Sequence, residues 1–288
     1  MGHSAALGTA HDIDLPGGRI CYHERGTGSP VVFVHGLLVN ANLWRKVVPA
    51  IADAGYRCLT PDWPLGSHSI PVPHADLTPP GLATLIESFL EELDLRDVTL
   101  VANDTGGALT QILLARKPSR VARVVLTPSD CYSNFLPPIF RGLTTLAKVP
   151  GSMGLLTTTL RVRALHRLPF TFGWLTKRPV APEVVDGYLE PSRHDRAIRK
   201  DLRHALAGLH RRYTLAAAES FPEITVPVLI AWAPEDKVFP LRYGERLAAD
   251  LPNATLRLIE DSYTFVPEDQ PELLAELILE FTREHAAP

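Results

Sequence analysis

The sequence predicts an α/β fold, a mostly parallel central sheet flanked by helices and interrupted by a helical insertion. Three observations carry that expectation. Short runs of β-branched and aromatic residues alternate with amphipathic stretches of helical period, the pattern of a parallel sheet covered on both faces. The runs are continuous rather than alternating, as in strands buried on both sides, and Val31-Val32-Phe33-Val34 is the clearest. From Asp130 to about Phe221 the alternation stops, leaving helical patterns and loops without a convincing strand. The predicted layout is a core made of residues 1–130 and 222–288, with residues 131–221 as a helical cap.

After the first strand, Asn42 to Ala54 reads as one helix closed by Gly55, a suitable C-cap residue. Arg57 to Thr60 is the next strand, and a proline-rich loop follows from Pro61 to Pro80. Thr78 is placed to cap a helix reaching about Leu95. Val98 to Ala102 is a strand, Gly106 to Arg116 a helix and Val121 to Thr127 a strand. Beyond the insertion, Val228 to Trp232 and Ala254 to Ile259 read as strands around a helix from Arg242 to Leu251. Pro271 to Arg283 closes the chain as a helix whose apolar face carries Leu273, Leu274, Leu277, Ile278 and Phe281.

Composition narrows the function. The 288 residues carry 29 Lys and Arg against 32 Asp and Glu, a formal charge of −3, so the basic stripe of a nucleic-acid binder is not expected. A hydrophobic content of 45% excludes a disordered chain. Cys21, Cys58 and Cys131 lie far apart and suggest neither a disulfide framework nor a zinc site. The first eleven residues lack the basic and apolar regions of a signal peptide. Gly26 to Trp44 is free of charge, yet it holds Pro30, His35, Asn40 and Asn42 and is no membrane span. The expectation is a cytoplasmic protein with a small-molecule substrate, no cofactor, no metal and no stable membrane insertion; oligomeric state is left open. Between Asp130 and Glu183 the insertion has no acidic residue but carries Arg141, Lys148, Arg161, Arg163, Arg167, Lys177 and Arg178. Those cations read either as solvated helix faces or as a lid that attracts an anionic substrate or membrane surface.

Asn103-Asp104-Thr105-Gly106-Gly107 is the most informative stretch. It lies where a strand ends and a helix begins, and its glycines allow the sharp turn that a nucleophile elbow needs. The elbow residue is Asp104, and no Gly-x-Ser-x-Gly occurs in the chain. His35-Gly36 follows the strand Val31 to Val34, where the N–H of Leu37 would supply one oxyanion donor and that of Thr105 the other. Asp236 lies just past the strand ending at Trp232, where a catalytic acid would stand.

On these residues the chain resembles the α/β-hydrolase fold over nearly its whole length, closest to the Asp-nucleophile branch of haloalkane dehalogenases and epoxide hydrolases. The resemblance implies that Asp104 attacks carbon to form an ester, that Asp236 is the acid, and that a His-activated water completes hydrolysis. Asp130 is a second position at which some members carry the acid. The register of the resemblance puts Thr264 where the histidine belongs, in Tyr263-Thr264-Phe265-Val266-Pro267, and no histidine lies between His210 and His285. Threonine is no general base near neutral pH, and such assistance is worth roughly 10²- to 10⁴-fold. A relocated base would be sought among His35, His68, His166, His194, His204 and His210; Tyr263 and Glu260 are further groups near the predicted loop. Thr105 and Leu37 stand where dehalogenases commonly place a halide-holding Trp and Asn. Tyr132, Tyr188 and Tyr213 are candidates for the cap tyrosines of epoxide hydrolases. The leading expectation is a hydrolase of a small apolar epoxide, ester, lactone or alkyl halide. A lyase, isomerase or cyclase on the same scaffold, or a ligand-binding protein without chemistry, are the alternatives.

Overall fold

The computed structural model describes residues 2–286. Eight strands form one sheet: β1 (Thr9–Leu15), β2 (Gly18–Arg25), β3 (Pro30–Val34), β4 (Arg57–Pro61), β5 (Val98–Asp104), β6 (Val121–Ser129), β7 (Val228–Trp232) and β8 (Ala254–Leu258). Their spatial order is β1-β2-β4-β3-β5-β6-β7-β8, with β2 antiparallel to its neighbours and all other pairs parallel. The chain runs from β3 to β4 on one side, then returns to place β5 on the other side of β3. At such a reversal the loops leaving the two central strands part, opening a crevice at their C-terminal ends. Here those ends are His35-Gly36 and Asp104.

The helices are α1 (Val48–Asp53), α2 (Pro79–Glu92), α3 (Thr105–Leu114), α4 (Arg141–Leu146), α5 (Ser152–Thr159), α6 (Pro182–His194), α7 (Arg196–Gly208), α8 (Arg212–Glu219), α9 (Leu241–Asp250), α10 (Val266–Asp269) and α11 (Pro271–Glu284). Successive β3 residues point to opposite faces. Val32 and Val34 pack with Leu82, Phe89 and Leu109 of α2 and α3. Val31 and Phe33 pack with Val48, Ile51, Leu274 and Ile278 of α1 and α11. This two-sided burial explains the uninterrupted apolar run in the sequence. From Asp130 to Pro227 the described residues hold five α-helices and no strand beyond an isolated Cys131–Asn134 bridge. A third apolar cluster, including Leu136, Met153, Leu202 and Leu206, lies within that segment and against Ala108 of α3.

Two features differ from the sequence reading. Asn42 to Ala54 is two pieces, a 3₁₀ turn over Ala41–Trp44 and the short α1. Pro49 explains the break, because it has no N–H to continue a helix and is tolerated only in a first turn, where it sits. The β1–β2 hairpin was not anticipated. Its burial alternates only over the last residues of β1, around Ile13 and Leu15, so the strand signal is weak.

The long loop after β4 is fastened to α7. Buried Asp201 accepts from the Val72 N–H at 2.8 Å and lies 3.2 Å from His68 Nε2, while His68 Nδ1 accepts from the Gly66 N–H at 3.3 Å. On the opposite face, buried Glu268 of α10 forms a bidentate pair with Arg45, its second contact at 2.9 Å, and meets Lys46 at 3.0 Å. Removing one partner of such a pair leaves a desolvated charge. Arg45→Met is therefore expected to destabilise the fold by about 2–3 kcal/mol in denaturant titration, the Lys46 contact offsetting part of a full loss.

Candidate active site

Asp104 is the last residue of β5 and the residue preceding α3, and its backbone is held at φ 55°, ψ −132°. That conformation costs a non-glycine residue about 1–3 kcal/mol and persists only where the surroundings enforce it. Here they do. A Cβ on Gly36 would lie 2.0 Å from Asp104 Oδ2, and one on Gly106 would lie 2.3 Å from the Val34 carbonyl. The strand-turn-helix fits only because both positions lack a side chain, and it lifts the Asp104 carboxylate off the end of the sheet.

That carboxylate accepts hydrogen bonds from the backbone N–H groups of Thr105 and Leu37. Thr105 also sends its hydroxyl to Asp130 Oδ2 at 3.1 Å. Beyond the carboxylate opens a cavity of about 310 Å³ whose wall is almost wholly apolar, including Leu37, Leu136, Phe140, Leu156, Phe170 and Phe172. Among the described residues, Asp104 is the only charged one on it. The two lining hydroxyls are committed elsewhere, Thr159 to the Leu156 carbonyl at 2.7 Å and Thr171 to that of Leu165 at 2.6 Å.

Asp236 stands behind this wall. It accepts from the N–H groups of Val238 (2.6 Å) and Phe239 (2.7 Å), and from the Thr264 hydroxyl at 2.9 Å. Thr264 is fully buried, and its carbonyl accepts from Asn103 Nδ2 at 2.7 Å. The residues assigned from sequence therefore converge: Asp104, Leu37 and Thr105 meet at the cavity floor, and Thr264 meets Asp236. His35 and Gly36 do not line the cavity. Gly36 gives Asp104 room, and His35 holds the loop by bonding the Gly36 carbonyl through Nδ1 (2.9 Å) and accepting the Trp63 N–H at Nε2 (2.9 Å). Both ring nitrogens are engaged, and burial lowers the His35 pKa to about 4, so the ring is neutral.

No other candidate base reaches the floor. His68 is the loop fastener described above, and His166 turns Nε2 to the Leu160 carbonyl at 2.7 Å. His194, His204 and His210 are exposed. Tyr263 lies under Lys237, 4.6 Å from its ring, and Glu260 is exposed. The three tyrosines are also absent from the wall: Tyr132 bonds Asp250 at 2.8 Å, Tyr213 accepts from Arg212 at 2.6 Å, and Tyr188 is buried beside Arg45 and Glu268. Among the described residues no three His, Cys, Asp or Glu side chains are grouped to hold a metal ion.

Three buried carboxylates thus share a region without a cation. Burial, with the Asp236 charge, raises the Asp104 pKa to about 7 despite its two N–H donors. Burial likewise raises Asp236 to about 7 and pushes Asp130, facing Asp104, well above the usual range. Sequence reasoning missed Asn103, whose Nδ2 also bonds Thr127 Oγ1 at 2.7 Å and so ties β5 to β6 and to the Thr264 loop. An asparagine inside an apolar strand was the available signal, since buried amides need partners. Asp62 directly follows β4. It accepts from the Ala41 N–H at 3.0 Å and from His3 at 3.1 Å, bracing the Leu37 loop from behind.

The strand order, the strained elbow and the paired backbone donors agree with a family model described as alpha/beta hydrolase fold, which matches residues 29–271. The chain belongs to the α/β hydrolase fold family. Among α/β hydrolases, it is 29% identical over 266 residues to YugF, an uncharacterised hydrolase of Bacillus subtilis, covering 88% of this chain and 89% of that one. It is 40% identical to a haloalkane dehalogenase of Mesorhizobium japonicum over 101 residues, 35% of this chain and 32% of the other. The solved structure of the haloalkane dehalogenase DatA of Agrobacterium tumefaciens superposes with a TM-score of 0.79 at 25% identity, covering 97% of this chain and 99% of that one. Membership places the chain with the hydrolases of this fold.

A carboxyl whose folded pKa exceeds its unfolded value binds protons more tightly in the native state. Its ionisation therefore removes stability as pH rises from about 4 through about 7. Asp104→Asn is expected to raise the melting temperature at about pH 8, by the equivalent of ~2 kcal/mol or more, and to change it little at about pH 4. Thermal unfolding of both forms across pH measures this.

Proposed function

We propose that the protein is a hydrolase of a small apolar electrophile, with Asp104 as nucleophile and residues 131–221 as the cap over its pocket. The observation that carries this reading is the Asp104 carboxylate, held by the Leu37 and Thr105 N–H groups at the floor of an otherwise uncharged cavity. One carboxylate oxygen attacks the substrate carbon, and the bond to the leaving group breaks with its electron pair departing on that group. The product is an Asp104 ester. Water then adds to the ester carbonyl, whose developing negative charge the two backbone donors stabilise. Collapse returns the carboxylate and releases the alcohol, the proton passing to solvent.

Thr264 determines which step is slow. Its hydroxyl satisfies Asp236 as an imidazole N–H would, but it offers water no basic atom. Ester formation needs no base and ester hydrolysis does, so the ester accumulates. The lining also supplies no free donor for a leaving oxygen. The wall therefore favours, among epoxides, esters, lactones and alkyl halides, a substrate whose leaving group departs as a stable anion. The haloalkane dehalogenases among its relatives are in keeping with that choice.

A second reading rests on the Asp104 pKa near 7, which suits a general acid or base of an isomerase, lyase or cyclase. Intact-mass spectrometry separates the two. With bromohexane, one equivalent of alkyl adduct is expected on Asp104, and none on Asp104→Asn. The labelling rate should rise about tenfold from about pH 6 to about pH 8, because only the anion attacks. Turnover without any adduct at any time, unaffected by Asp104→Asn, would refute the nucleophile. Thr264→His is expected to shorten the life of the adduct by ~10²-fold or more.

A further inference from the structure

The exposed apolar residues of this protein are unevenly distributed. Of seven large hydrophobic side chains that stand in solvent among the described residues, four lie between residues 149 and 170: Val149 (53% exposed), Leu155 (66%), Val162 (53%) and Phe170 (58%). The same short segment supplies much of the cavity wall, through Leu156, Thr159, Leu160 and Leu165. Phe170 does both, lining the cavity while more than half of it faces solvent, so it marks the mouth. Scattered single hydrophobes need no explanation, but four in one short segment that also lines an apolar cavity do.

The charge around them has one sign. No Asp or Glu occurs from residue 131 to residue 182. Lys148, Arg161, Arg163 and Arg167 are all exposed within this stretch. Arg163 is paired with Asp186 at 2.7 Å, whereas Lys148, Arg161 and Arg167 enter no ion pair among the described residues. Lys177 and Arg178, further along, are neutralised by Glu235 and Asp261 of the core. Three cations without an ion pair thus lie next to or among the exposed hydrophobes, and Arg141, bonded to the Leu136 carbonyl, precedes them. Phe and Leu that enter the acyl boundary, ringed by Lys and Arg that meet headgroups, form the composition of a surface that lies on an anionic bilayer. No helix of the described residues is long and apolar enough to cross a membrane, so such contact is peripheral.

We propose that residues 148–170 dock the protein on an anionic lipid surface, with the cavity mouth facing the acyl region. This deepens the proposed function by naming where its apolar substrate is drawn from, but the docking depends on no catalytic assignment. Sedimentation with vesicles tests it on the full chain. Binding to vesicles of equal phosphatidylglycerol and phosphatidylcholine is expected, at least tenfold stronger than to phosphatidylcholine alone and weakened by high salt. Each basic residue at such a surface strengthens partitioning about fivefold, so R161E/R167E should lower it about twenty-fivefold or more. Leu155→Asp with Phe170→Asp should abolish it while the far-ultraviolet spectrum and melting temperature stay unchanged. Asp104→Asn should bind as the parent does, which keeps this test separate from the chemistry. Equal binding to both vesicle types, or binding to neither, overturns the proposal. Self-association lost on Leu155→Asp without vesicle binding would instead assign the surface to a second copy of the chain.

Discussion

The crossing of the loop after β3 over the end of β5 constrains everything else at the site. Gly36 passes so near Asp104 that a single added carbon would overlap the carboxylate, and Gly106 sits as tightly against the Val34 carbonyl. That contact holds Asp104 in its strained backbone conformation and aims the Leu37 N–H at its side chain. It also needs a stiff frame. Asn103 supplies one by bonding β6 and the Thr264 loop together, and His35 supplies another by joining its own loop to Trp63. Strain at one residue is thus maintained by hydrogen bonds made by its neighbours.

The electrostatics follow from the same geometry. A carboxylate at the end of a buried strand is desolvated on every side except the cavity, and two further buried carboxylates stand nearby. A histidine between Asp104 and Asp236 would supply a positive charge when protonated and reconcile the pair. Thr264 supplies a neutral hydroxyl, which satisfies Asp236 locally but leaves the mutual repulsion of the acids. Burial and the neighbouring Asp236 charge together hold Asp104 partly protonated near neutral pH.

Much of this was legible in the residues. Parallel strands announce themselves by unbroken apolar runs, and β3, β5, β6 and β7 lie close to where those runs placed them. Asp104 was legible because small residues at fixed offsets imply a tight turn. Thr264 was singled out only through the register of the family resemblance, and the structure places its hydroxyl on Asp236. Other parts were not legible, for physical reasons. The β1–β2 hairpin alternates too briefly to register, and Pro49 divides a stretch whose apolar period runs on as one helix. Whether a histidine is base or brace depends on its partners. One partner of each, Trp63 for His35 and Asp201 for His68, lies 28 or 133 residues away, beyond any local pattern.

The bracing of the Leu37 loop carries a practical consequence at the amino terminus. His3 reaches Asp62, Asp62 holds the Ala41 N–H, and the Ser4 N–H bonds Asn42 Oδ1 at 2.7 Å. Residues 3 and 4 are thereby wired to the loop that presents one of the two donors. The other end of the chain is remote from it, leaving α11 where the His285 carbonyl accepts from Arg123 at 2.7 Å. An affinity handle or immobilising linker at the front of this protein would pull on the Leu37 loop, whereas one at the back would pull only on the rear of the sheet.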